Sequence, residues 1–263
     1  LMIRRPPRST LDRSSAASDV YKRQYLNPQT LIVSATKGLE KNTCKRMSEI
    51  LEEELGSSVS EKICVLSGPN LALEVVTQKH SSTVLASKNI STATQVQQIL
   101  NSKVFRAYTN SDIIGVELGG ALKNIIALGA GICDGLKVGD NAKAAFITRG
   151  LKEITRLAIS VGANPETLSG LSGLGDLIAT CSSTLSRNHS VGEKLAQGID
   201  IQTIQQSMIH VAEGIETASV AVQLAKKFDV ELPITTGINS IIQKELSLTE
   251  AISKLLDRSP LHE

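Results

Sequence analysis

The chain has 263 residues, 41% hydrophobic and 21% charged, with a formal net charge of +2. That length accommodates two domains with cores of their own, and the composition is that of an ordinary globular protein. The small net charge excludes a broad basic field for nucleic acid; 2% aromatic residues and no Trp exclude base-stacking platforms and a membrane aromatic belt.

The four cysteines, Cys44, Cys64, Cys133 and Cys181, form no CxxC pair, and the four histidines have no metal-ligand spacing. Reduced thiols in the cytoplasm and the absence of a metal site are expected. No apolar run reaches membrane-spanning length without a charge, so no membrane span is expected.

Residues 1–24, LMIRRPPRSTLDRSSAASDVYKRQ, are rich in Ser and Arg, have no apolar period, and lack the hydrophobic segment of a secretory signal. They resemble translated adapter sequence, with an Arg/Ser-rich transit peptide as the rival reading. A non-native leader outside the fold is expected.

From Thr30 strands and helices alternate. TLIVSATKG reads as a strand closed by glycine, GLEKNTCKRMSEILEEELG as a helix over 38–56, and EKICVLSGPN as a strand running into a Gly-Pro turn. ALEVVTQ starts a short helix, SSTVLAS is a strand, TATQVQQILNS a helix and VFRAYTN a strand. This alternation predicts a largely parallel sheet of βαβ units over 25–111. After Asn110 the pattern is helical, over 112–134, 140–162, 166–169, 187–197, 201–208, 214–228, 234–243 and 248–256, with breaks at Gly162, Gly198 and Pro233. The fold class is therefore α/β plus all-α: a partial Rossmann-like parallel sheet, then a helical domain over 112–263.

GVELGGALKNIIALGAG, residues 115–131, is a helix of small and apolar residues with a lysine in its middle. On a 3.6-residue period Lys123 lies on the stripe of Val116, Gly119, Gly120, Ala127 and Ala130. Interior helix glycines cost about 1 kcal/mol each against alanine, and close approach of a backbone or ligand is the usual compensation. Lys123 is thus either a lysine standing over a tightly packed site or one that snorkels to solvent.

Other polar residues are spaced along both halves. GLSGLGDLIATC presents Asp176 from a glycine-rich loop, where capping of the following helix is the alternative role. Ser186 is a candidate N-cap that leaves Arg187 and Asn188 in the first turn of a helix. Free N–H groups, the helix dipole and a guanidinium there suit a phosphate or carboxylate. Glu213 precedes a glycine and a new helix. Lys37, Gly68 and Asn70 fall at strand ends, where open α/β sheets bind ligands. One cleft between the two halves could collect them all.

SATKGLE, LSGPNLALEV, VFRAYTNSDIIGVELGGALKN, GLSGLGDLIATC, SRNHSVG and VAEGIET occur in this order. Together they resemble the bacterial type of NAD(P)-dependent sn-glycerol-3-phosphate dehydrogenase, from about Tyr25 to Pro233 or beyond. The resemblance implies a Rossmann domain followed by a helical substrate domain, NAD or NADP as cofactor, and a phosphorylated triose as substrate. It implies interconversion of dihydroxyacetone phosphate and sn-glycerol 3-phosphate for glycerophospholipid synthesis. It makes Lys123 the catalytic acid/base. Lys37, Gly68, Asn70, Asp176, Ser186, Arg187 and Asn188 become substrate-binding residues, and Asn124 and Thr180 are added as candidate hydrogen-bond partners for the substrate hydroxyl and Lys123. Lys37, Ala72, Arg187, Val211 and Glu213 become cofactor contacts. Asn70 departs from the Ser or Thr usual in the family. The family's opening strand and Gly-rich pyrophosphate turn have no counterpart here, so a partial cofactor domain is expected, and the sequence does not separate NAD from NADP. A homodimer is the candidate assembly. The alternatives are an inactive fragment that keeps a phosphate-binding helical domain, and a related hydroxy-acid dehydrogenase.

Overall fold

The computed structural model describes residues 27, 29–208 and 211–257. The expected leader over 1–24 lies outside the described residues. Among the described residues, four strands form one sheet in the order β1-β2-β3-β4: β1 (Ile32–Ser34), β2 (Ile63–Ser67), β3 (Ser81–Ala86) and β4 (Phe105–Asn110). β1 pairs with β2 and β3 with β4 in parallel, whereas β2 and β3 run antiparallel, with Leu66 opposite Leu85. The sheet is largely parallel, as expected, with one antiparallel pairing among the three. The reason lies in the link. Its helix, α2 (Ala72–Val76), has only 5 residues. Five helical residues rise roughly 7.5 Å, too little to carry the chain back along a strand of roughly 17 Å.

The helix expected over 38–56 forms only as α1 (Met47–Leu55). Leu39 and Arg46 instead make an antiparallel bridge around a turn in which Cys44 has φ 59°. That left-handed residue ends any helix there. Arg46 then opens α1 as its N-cap, its backbone N–H donating to Glu49 Oε2 at 2.8 Å. A 3-10 turn (Ser57–Lys62), which has no clear sequence period, leads into β2.

The two faces of the sheet follow strand alternation. Ile63, Val65, Val84 and Ala86 share one apolar cluster with Ile113 and Val116. Cys64 and Leu85 point the other way, onto Ala93 and Val96 of α3 (Ile90–Leu100).

From Ile113 onward every regular element among the described residues is helical: α4 (Ile113–Gly135), α5 (Asp140–Ser160), α6 (Pro165–Ser169), a π-turn (Leu171–Gly175), α7 (Asp176–Ser182), α8 (Arg187–Ala196), α9 (Ile201–Ser207), α10 (Glu213–Lys227), α11 (Pro233–Ile242) and α12 (Leu248–Leu256). These bounds match the sequence periods closely. Gly162 and Gly198 end helices with φ of 103° and 80°, a conformation glycine adopts without steric cost. Pro233 opens α11 at its first turn.

α4 is the axis of the molecule. By length and composition alone it could cross a membrane, but 94% of its most apolar window is buried inside the protein. Its glycines explain how neighbours reach it. A Cβ at Gly131 would lie 2.0 Å from the carbonyl oxygen of His189, and one at Gly192 would lie 2.0 Å from that of Leu128. α4 and α8 therefore touch backbone to backbone. The sheet is tied to the same helix by Glu117, which accepts from the Ser48 backbone N–H at 2.8 Å, the Ser48 hydroxyl at 2.6 Å and Arg46 Nη1 at 2.7 Å.

Candidate active site

Lys123 lies on the middle of α4 and is 5% exposed. Its Nζ donates to Asp176 Oδ1 and, at 2.6 Å, to Thr180 Oγ1. The Thr180 hydroxyl donates onward to the Asp176 carbonyl at 2.6 Å. That leaves an oxygen lone pair facing the lysine. Asp176 is the first residue of α7, and its carboxylate is directed at the lysines instead of capping the helix. The π-turn before it presents that carboxylate. Gly173 is obligatory in this turn, because a Cβ would stand 2.0 Å from the Leu168 carbonyl oxygen.

The second oxygen of Asp176 is taken from the sheet side. Lys37 Nζ donates to Oδ2 at 2.6 Å and to the Gly68 carbonyl at 2.8 Å. Two ammonium groups from the two halves thus meet one carboxylate, leaving a net positive centre. Each ammonium has three donors, and two on each are engaged by the partners named. Burial, and then the Lys37 charge, push the Lys123 pKa down from 10.5 to about 8, against the opposing pull of Asp176 and Glu213.

A second polar chain adjoins the first. Asn124, next in sequence to Lys123, donates from Nδ2 to Glu213 Oε2 at 3.3 Å and accepts from Asn188 Nδ2 at 3.0 Å. Asn188 Oδ1 accepts from the Gly214 backbone N–H at 3.0 Å. Burial raises the Glu213 carboxyl above its ordinary range, opposed by Arg187, Lys37 and Lys123. α4, α8 and α10 are joined at this point, and the close approach of Gly214 to the Asn124 carbonyl (2.6 Å for an added Cβ) keeps them there.

The remaining expected residues divide. The Ser186 hydroxyl accepts from the His189 N–H at 3.2 Å and so serves as the cap of α8. Arg187 stands exposed at the start of α8. Asn70 donates from Nδ2 to the Ser82 carbonyl at 3.0 Å, while its Oδ1 is buried without a partner among the described residues. Ala72 and Val211 are exposed, the latter by 66%. Sequence reasoning missed Glu117, which ties the sheet to α4. Glu117 did leave a signal, as one of three charged residues, with Lys123 and Asp134, within the apolar helix α4.

Strand ends set against a helical body, joined here through Lys37, Asp176 and Lys123, are the architecture of two-domain α/β dehydrogenases. Family profiles agree: NAD-dependent glycerol-3-phosphate dehydrogenase C-terminus matches residues 112–253, and the N-terminus profile matches residues 15–93. A glycerol-3-phosphate dehydrogenase (NAD(P)+) of Dehalococcoides mccartyi is 52% identical over 238 residues, 90% of this chain and 66% of the relative. One of Lysinibacillus sphaericus is 48% identical over 233 residues, covering 89% and 69%. The crystal structure of glycerol-3-phosphate dehydrogenase from Coxiella burnetii superposes with a TM-score of 0.85 at 38% identity, over 92% of this chain and 74% of that one. The chain belongs to the NAD-dependent glycerol-3-phosphate dehydrogenase family. It spans 66% of the length of the Dehalococcoides relative.

Proposed function

We propose that this protein interconverts dihydroxyacetone phosphate and sn-glycerol 3-phosphate with an NAD(P) cofactor, with Lys123 as the acid/base. The observation that carries this is a buried ammonium with a depressed pKa, held on Asp176 and Thr180 beside a second ammonium. A proton donor works best with a pKa near the working pH, and about 8 meets that condition. In ketone reduction Lys123 Nζ gives its proton to the C2 oxygen; in alcohol oxidation it takes that proton back. Asp176 and Thr180 aim the ammonium. Lys37 adds the second positive charge, which stabilises an oxyanion developing on C2. Arg187 and the first turn of α8 hold the phosphate, and Asn124 and Asn188 orient the substrate hydroxyl side. Gly68 fixes Lys37, Asn70 offers a free acceptor, and Ser186 keeps Arg187 and Asn188 in place by capping their helix.

The residues present fit the nicotinamide end of a dinucleotide. Asn70 Oδ1 is an orphaned buried acceptor at a strand end, and Arg187 acts electrostatically on Glu213. Lys37, Ala72, Arg187, Val211 and Glu213 would hold that end, and the cofactor supplies the hydride when bound. On this reading residues 25–111 are the cofactor side and 112–263 the substrate side. Supply of glycerol 3-phosphate to glycerophospholipid synthesis and a homodimeric assembly belong to the same proposal. So does a cytoplasmic location, which the four free cysteines support.

The test is oxidation of NADH or NADPH by the full-length protein with dihydroxyacetone phosphate. Lys123→Ala should lower turnover by about 10²–10⁴-fold. Near-normal turnover in a folded Lys123→Ala protein would sink the assignment.

A further inference from the structure

Ser67 ends β2, is 1% exposed, and its Oγ has no hydrogen-bond partner among the described residues. Leaving a buried hydroxyl unbonded is unfavourable, so something other than its own hydrogen bonding fixes its place. The side chain rests on α4. A Cβ at Gly120 would stand 2.3 Å from Ser67 Oγ, 3.3 Å from Ser67 Cβ and 3.4 Å from Lys37 Cγ. Gly119 does the equivalent for the other partner of Lys123: a Cβ there would stand 2.7 Å from the carbonyl oxygen of Ser172, in the turn that leads to Asp176. Two adjacent glycines, one turn before Lys123, therefore seat its two electrostatic partners separately. Gly119 receives the turn bearing Asp176. Gly120 receives the end of β2, where the Gly68 carbonyl holds Lys37 Nζ at 2.8 Å.

Resting on the reading of Lys123 as the acid/base, we propose that Ser67 is a positioning residue: seated on Gly120, it sets how close Lys37 stands to Lys123. Lys37 moves with the strand end, because Gly68 is the next residue after Ser67 and carries the carbonyl that binds its ammonium. A methyl group at Gly120 would turn the Ser67 hydroxyl aside, and its contact with Ser67 Cβ at 3.3 Å then moves the strand end by a few tenths of an ångström, with Lys37 following. Lys123 then loses part of the repulsion that lowers its pKa, so its titration moves to higher pH. Shortening Ser67 to glycine makes room for the methyl and lets the strand end return.

The experiment compares wild type, Gly120→Ala and Gly120→Ala/Ser67→Gly in the full-length protein labelled with carbon-13 lysine. The ε-carbon signal of Lys123, assigned with Lys123→Arg, is titrated by NMR, and kcat and KM for dihydroxyacetone phosphate are measured alongside. The expected result for Gly120→Ala is an upward shift of the Lys123 titration and a kcat lower by about 10- to 100-fold, with a smaller change in KM. The double variant should recover both. A folded Gly120→Ala protein with an unmoved Lys123 titration overturns the proposal, as does a double variant that recovers neither quantity. If Gly120→Ala does not fold, recovery of the fold and the titration in the double variant supports the proposal, and an unfolded double variant overturns it. Failure of the catalytic reading is seen separately, as full turnover in Lys123→Ala, and leaves the titration test in force.

Discussion

Lys37 and Lys123 bind opposite oxygens of the same carboxylate, Asp176, one reaching from the sheet and the other from the central helix. The ion triad therefore joins the sheet to the central helix. Two like charges brought this close are tolerable only because Asp176 lies between them. The arrangement keeps one positive charge uncompensated, which suits an anionic substrate and an oxyanion that develops during reaction.

Asp176→Asn removes the compensation and keeps the shape. Lys123 and Asp176 are almost fully buried, with side-chain exposures of 7% and 2%. Removing one partner of a buried pair costs about 3–5 kcal/mol, because the other charge stays buried and uncompensated. The Lys123 pKa should fall further, since Asp176 is a group that raises it. Chemical denaturation and an NMR titration of Lys123 check both effects. Unchanged stability together with an unchanged titration would show that the triad does not exist in solution.

The pH dependence follows from the depressed lysine. Below about 8 the folded and unfolded chains both carry the Lys123 proton, and the folded state bears the cost of burying that charge. Between about 8 and the ordinary 10.5 the folded state releases the proton while the unfolded state keeps it. The unfolded chain then binds more protons, so this group's contribution makes stability rise with pH across that window. With Lys123 as the acid/base, catalysis should show opposite limbs in its two directions. Ketone reduction needs the charged lysine and should decline above about 8; alcohol oxidation needs the neutral lysine and should increase through the same pH. Profiles of kcat/KM in both directions check this, and parallel limbs would exclude Lys123 as the titrating group.

Much of the helical half was legible in the sequence because its signals are local. Apolar periods, the cap at Ser186 and the stops at Gly162 and Gly198 all act within a few residues. Lys123 stood out for the same reason, as a charge on a bare stripe. The direction of β3 was not legible, because it depends on how far a 5-residue helix carries the chain. The Asn124–Asn188–Glu213 chain was not legible as a chain, since its hydrogen bonds join residues 64 and 89 positions apart. Ser67 gave no signal because its significance lies in an absent side chain at Gly120.

Arg187→Ala separates binding from chemistry. The residue is exposed at the start of α8, and Glu213 keeps Lys37 and Lys123 as charge partners, so little change in stability is expected. A charge-assisted hydrogen bond to phosphate contributes about 1.5–3 kcal/mol, which corresponds to an increase in KM for dihydroxyacetone phosphate of about 10- to 100-fold. kcat should change much less, because a uniform binding contact is lost. The Glu213 carboxyl, which Arg187 helps to hold down, should titrate at higher pH. Steady-state kinetics decide the matter: a large loss in kcat at constant KM would place Arg187 in the chemical step instead.

Gly192→Ala tests the backbone contact on which the second polar chain depends. The added methyl would stand 2.0 Å from the Leu128 carbonyl oxygen and 2.8 Å from the Ile132 nitrogen, both in the backbone of α4. Backbone cannot yield as the tip of a flexible side chain can, so α8 must move off α4. Overpacking of this kind costs about 1–3 kcal/mol or more. Helix propensity alone would favour alanine over glycine by about 1 kcal/mol, so the two effects have opposite signs and the steric one should dominate. Asn188 is carried on α8, so its hydrogen bond to Asn124 should lengthen and substrate affinity should fall along with stability. Gly38→Ala is the control, since a Cβ at Gly38 meets nothing within 4 Å. Thermal unfolding of the two variants should show a clear drop for Gly192→Ala and almost none for Gly38→Ala. Equal melting temperatures would mean that α4 and α8 are farther apart than the contact requires.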